Sequence, residues 1–76
     1  MKQQIDLSAL TEKWPSAYVA RSEIGRFTGG MISPGTVANL DCQGRGPEGR
    51  ITVGRRAVYP VEALVRWLEA RAGNAA

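Results

Sequence analysis

The stretch that decides the fold runs from Ser33 to Pro60 and reads SPGTVANLDCQGRGPEGRITVGRRAVYP. Ser33-Pro34 is a strong helix start. A serine hydroxyl satisfies free backbone N–H groups, and proline fits the first helical turn, where its missing N–H costs nothing. The helix is predicted over 34–42, with Val37 and Leu40 inward and Pro34, Gly35, Ala38, Asn39 and Gln43 outward or at the rim. Gly44-Arg45-Gly46-Pro47-Glu48-Gly49 is too rich in glycine and proline to continue it. Two β-prone triplets follow, Ile51-Thr52-Val53 and Ala57-Val58-Tyr59, around the glycine-containing loop Gly54-Arg55-Arg56. That pattern is a β-hairpin with arginines at its tip.

Upstream, Ala20, Ile24 and Phe27 recur at i, i+4 and i+7, the spacing of one helical face, and predict a helix over about 20–28. Gly25 inside it costs about 1 kcal/mol against alanine, so another helix is expected to cross closely there. Gly29-Gly30 ends it. Two short helices split by a glycine-containing turn make a helix-turn-helix candidate. A first short helix is expected from about Leu7 to Lys13, capped by Asp6, with Ile5, Leu7 and Leu10 on its apolar face and Pro15 as its stop. Pro60 is expected to open the last helix, about 60–72, and Gly73 to close it. Val61, Leu64, Val65 and Leu68 form its apolar stripe, widened by Trp67, and Glu62 and Arg66 stand at pairing distance on it. Tyr18, Phe27, Tyr59 and Trp67 join that stripe in the expected core. Trp14 fits either the body or a partner surface.

Composition narrows the function. The chain has 76 residues and an apolar content of 43%, enough for one small core. It has one cysteine, Cys42, and no histidine. No internal disulfide follows, and a zinc staple needs about four such ligands. No histidine base, Cys–His pair or Ser–His–Asp set exists, so no catalytic residues, metal or cofactor are expected. No apolar run approaches the ~20 residues of a membrane span, and the first residues lead into no apolar signal segment. A cytoplasmic protein with a reduced thiol is expected.

The net charge of +3 is concentrated. Residues 1–43 and 60–76 each sum to zero, while 44–59 carry Arg45, Arg50, Arg55 and Arg56 against Glu48 alone. A basic element on a neutral body points to a polyanion, and arginine is the cation shaped for phosphate and base edges. The Gly44–Gly49 loop is not a nucleotide cradle, because a Walker loop needs Gly-Lys-Ser/Thr before a helix and here a strand follows.

The segment from Tyr18 to Arg71 resembles the small excisionase and MerR-like winged-helix DNA-binding domains of phages, prophages and other mobile elements. The residues that carry the likeness are Glu23-Ile24, Ser33-Pro34-Gly35-Thr36-Val37, Gly44-Arg45-Gly46-Pro47, Val53-Gly54-Arg55-Arg56-Ala57-Val58-Tyr59 and Trp67-Leu68-Glu69-Ala70. The family usually has alanine at the place of Gly25, a shorter turn than Gly29–Ile32, and an arginine and a tryptophan near Asn39 and Leu40. The resemblance implies a mainly α fold with a β-hairpin, a winged helix-turn-helix spanning 18–76, preceded by an N-terminal extension over 1–17. The hairpin, about 50–59, would be the wing.

It further implies double-stranded DNA as partner, with the second helix in the major groove. There Pro34, Gly35, Thr36, Asn39 and Gln43 would face the bases or the phosphates, Asn39 and Gln43 being able to pair with adenine. Arg55 and Arg56 would enter a narrow minor groove, Arg45 and Arg50 would hold phosphates, and Arg21 and Arg26 would graze the backbone. An excisionase-like architectural factor or a small transcriptional regulator, bacterial or phage-encoded, is the expected role. A recombinase or another phage protein is a further partner for it. The long C-terminal coiled coil of MerR-type regulators is not expected after Gly73, so a monomer, or weak association on DNA, is. The alternatives are the DNA-binding domain of a phage terminase small subunit, and a winged helix that binds protein instead of DNA.

Overall fold

A computed structural model describes residues 7–73. The best-determined start is that of α3, Pro34–Cys42. Ser33 is its N-cap in extended conformation, and its Oγ accepts from the Thr36 N–H at 3.1 Å. Its far end closes on Gly44 at φ 74°, with the Arg45 N–H bonded to the Leu40 carbonyl at 2.8 Å and the Gly44 N–H to that of Asp41 at 3.0 Å. These are the two bonds of a Schellman cap. Val37 and Leu40 are buried as expected.

The hairpin is built from β2 (Ile51–Val53) and β3 (Arg56–Pro60). Its loop is two residues, not the three expected, because Arg56 already pairs with Val53. Only Gly54 has positive φ, 64°, which is the type II′ pattern that matches strand twist.

A third strand, β1 (Tyr18–Ala20), was not expected. It pairs antiparallel with β3, giving the sheet order β1-β3-β2. This displaces the helix expected over 20–28. Ala20 belongs to β1, Arg21–Glu23 form a single 3₁₀ turn, and α2 covers only Ile24–Thr28. Ladder bonds with β3 outcompete the helical preference at Ala20. Tyr18, expected in the core, faces outward at 46% exposure, since Val19 takes the inward place opposite Tyr59. The crossing helix expected at Gly25 is also absent: a Cβ there would meet nothing within 4 Å.

Pro60 is the last residue of β3, opposite Tyr18, and α4 runs Val61–Gly73. A proline without an N–H is tolerated at the end of a strand. Val61, Leu64, Val65 and Leu68 are buried and join Val19, Ile24, Phe27, Val37 and Tyr59 in one cluster. Glu62 and Arg66 form no ion pair with each other.

Residues 1–17 were expected as an extension, but their described part is packed on the body. Helix α1, Ser8–Lys13, starts one residue late, with Leu7 in the N-cap place and no side-chain cap; Asp6 lies outside the described residues. The Leu7 N–H instead donates to Glu69 Oε2 of α4 at 2.7 Å. Leu7, Leu10 and Trp14 pack against the core, and Trp14 meets Phe27 edge-on at 5.2 Å between centroids. The described residues form an α+β domain of four α-helices and a three-stranded antiparallel sheet.

Candidate nucleic-acid interface

Helix α3 offers its predicted outer face. Gly35, Thr36, Asn39 and Gln43 are exposed and Pro34 is half-buried. Asn39 and Gln43, four apart, share that face. Their neighbours already engage two of these groups. The Thr36 hydroxyl lies 2.9 Å from Ser33 Oγ inside the cap, and Gln43 Oε1 accepts from Arg45 Nη1 at 3.1 Å.

The sixteen-residue basic stretch divides in the fold. Arg55 and Arg56, at the hairpin, are exposed and make no ion pair among the described residues. Together with Arg21, Ser22, Ala57 and Pro34 they line an open groove of about 440 Å³. The hairpin cations and the first turn of α3 therefore face one space. Arg45 is exposed, and its carbonyl is held by the Trp67 indole N–H at 2.9 Å. Arg50 is 3.6 Å from Asp41 Oδ2, half-exposed, so part of its charge is already balanced.

Asp41 is the site residue that sequence reasoning missed. Its side chain is 5% exposed. Oδ2 accepts from Arg21 Nη2 at 2.7 Å and from the Tyr59 hydroxyl, while Arg21 Nε donates to that hydroxyl at 3.0 Å. One carboxylate thereby joins α3, the 3₁₀ turn and β3. Its hydrogen bonds to Tyr59 first, then to Asp41, raise the Arg21 guanidinium above its usual range. Burial, reinforced by the bond to Asp41, raises the Tyr59 phenol. A signal existed in the sequence: an acid in the last turn of a helix opposes the helix dipole and calls for a compensating partner.

Arg21 therefore belongs to this internal network, although it also lines the groove. Arg26 pairs with Glu23 at 3.3 Å on the surface, away from the groove's lining. The arrangement assembles Pro34, Arg55 and Arg56 at one place, leaves Asn39 and Gln43 along the same helix, and sets Arg26 apart.

The chain matches no family model, no characterised protein and no solved structure. No helix among the described residues is long and apolar enough to cross a membrane, and Cys42 is a free, exposed thiol.

Proposed function

We propose that this chain binds double-stranded DNA as a winged helix-turn-helix. In this reading α2 and α3 are the helix pair and β2–β3 is the wing. One observation carries it: Arg55 and Arg56, without acidic partners among the described residues, open on the same groove as the first turn of α3. Unpaired arginines contribute attraction to phosphate that paired ones have partly spent. A major groove about 12 Å wide admits a helix such as α3, with Asn39 and Gln43 as base readers and Gly35 and Thr36 near the backbone. Arg55 and Arg56 extend to the neighbouring minor groove or its phosphates. Arg45 and Arg50 act as auxiliary phosphate contacts. The chemistry suits an architectural factor of the excisionase type or a small transcriptional regulator, both of which need little beyond such a domain.

The test is fluorescence anisotropy with random-sequence duplex at about 50 and 200 mM salt. Each neutralised phosphate contributes about −0.9 to the slope of log K against log salt. Engagement of Arg55 and Arg56 alone gives about −2, and recruitment of Arg45 and Arg50 about −4. Gln43→Ala should change base preference, whereas Arg55→Ala should weaken all sequences alike. Absence of duplex binding at low salt refutes the proposal.

A further inference from the structure

A helix in one groove of duplex DNA and a hairpin in the next must straddle the sugar-phosphate strand that separates the two grooves. In this chain one space faces both elements. It is the open groove of about 440 Å³ lined by Pro34 of α3, by Arg55, Arg56 and Ala57 of the hairpin, and by Arg21 and Ser22 of the 3₁₀ turn. A strand held between α3 and the hairpin therefore runs past the 3₁₀ turn as well.

Arg21 differs from the two hairpin arginines in being already fixed. Its Nε donates to the Tyr59 hydroxyl at 3.0 Å and its Nη2 to Asp41 Oδ2 at 2.7 Å, so β3 and α3 hold it together. A guanidinium has five N–H donors, and these two bonds leave three. Its side chain is still 30% exposed. Its charge is not cancelled either. Arg21 and Arg50 share the single carboxylate of Asp41, so that cluster keeps one net positive charge. Arg55 and Arg56 are exposed and must give up rotamer freedom on a phosphate, whereas Arg21 has given up much of its own on folding.

We infer that Arg21 is a preordered phosphate contact for the DNA strand that passes between α3 and the hairpin, with Tyr59 and Asp41 as its positioning residues. The inference rests on the DNA-binding reading above and names a further contact within it. Phosphate contacts fix register and orientation and carry no sequence information, so Arg21 sets how α3 lies on the duplex and not which bases it reads.

Anisotropy titrations of the full chain with random-sequence duplex, between about 50 and 200 mM salt, test this on variants shown to be folded by far-UV circular dichroism. Arg21→Ala should weaken binding to all sequences and make the slope of log K against log salt shallower by up to about 0.9. Arg66→Ala removes the same charge from the exposed face of α4, outside the groove, and should leave the slope at the parent value. Tyr59→Phe keeps the buried ring and every charge but releases Arg21 Nε. It should weaken binding about two- to tenfold at unchanged slope, because Arg21 must then be ordered on the DNA. That split between affinity and slope is not produced by a loss of folded protein, which lowers the active fraction alone. Should Arg21→Ala fail to fold, Tyr59→Phe decides. A parent that binds with a steep salt dependence while Arg21→Ala keeps its affinity and slope overturns this inference and leaves the DNA-binding reading standing. Equal shifts from Arg21→Ala and Arg66→Ala, or parent affinity in Tyr59→Phe, overturn it too. A parent that does not bind duplex at low salt overturns both.

Discussion

Asp41→Ala should be among the most destabilising single changes outside the apolar core. The substitution removes the acceptor shared by Arg21 and Tyr59. Tyr59 is fully buried in the fold, and its O–H loses its acceptor, at about 1–3 kcal/mol for a buried donor left without a partner, although its oxygen still accepts from Arg21 Nε. The bond from Arg21 is charge-assisted, worth about 1.5–3 kcal/mol, but that side chain is 30% exposed, so water recovers part of it. Arg50, at 3.6 Å and 47% exposed, adds close to nothing. Two gains offset these losses. The carboxylate no longer has to be desolvated, and an acid is removed from the negative end of a helix, about 0.3–1 kcal/mol. Because the bonds share one oxygen they do not add, and a net loss of about 2–3 kcal/mol remains.

For a chain of 76 residues, total stability is about 4–11 kcal/mol, so the loss is a large fraction. With a urea m-value near 1 kcal/mol/M, the midpoint should fall by about 2–3 M at unchanged m. Asp41→Asn keeps an oxygen for the Tyr59 hydroxyl and should lose about half as much. A midpoint for Asp41→Ala within about 0.5 M of the parent would refute the account, since the network would then carry no net stability.

Gly25→Ala should stabilise the chain by about 0.4–1 kcal/mol in the same urea assay, because the site is helical and a Cβ meets nothing within 4 Å; a loss would show a constraint on α2 beyond its packing. Gly46→Ala should destabilise by about 1–3 kcal/mol, since the new Cβ falls on the Asp41 carboxylate and must displace it from Arg21 and Tyr59; an unchanged midpoint argues against that contact. Tyr59 has a phenol pKa raised in the fold, so its contribution is present below the unfolded value of about 10 and is lost as pH rises through the raised one. The stability gap between the parent and Tyr59→Phe should therefore be level up to about pH 9 and shrink above pH 10, and a gap that stays level across both would count against a raised phenol. Ser33→Ala should cost about 1 kcal/mol through loss of the cap on α3, read as a fall in the thermal midpoint.

What was legible in the sequence was what neighbouring residues decide among themselves. Ser33, Pro34 and the glycines after Cys42 define α3 at both ends, since capping and left-handed backbone are settled within a few residues. The apolar stripe of α4 and the hairpin follow equally local rules. The position of Arg56 was misjudged by one residue because loops of two and three residues share the same glycine signal; the pairing of Val53 with Arg56 decides it.

What escaped was decided at a distance. Strand β1 is three residues long, and Tyr18-Val19-Ala20 has no strand pattern of its own that would separate it from the start of a helix. It exists because β3 offers a free edge and Val19 fills the core opposite Tyr59. That one unseen strand accounts for three errors together: the early start given to α2, the burial given to Tyr18, and the proline assigned to a helix instead of a strand end. Asp41 follows the same logic, since its partners lie 20 and 18 residues away. The functional consequence is specific. The four arginines of the basic stretch look alike in the sequence, yet the carboxylate of Asp41 draws Arg50 toward the body, while Arg55 and Arg56 lie beyond its reach. Local charge marked out the basic region, and tertiary pairing selects which of its cations are left without an acidic partner among the described residues.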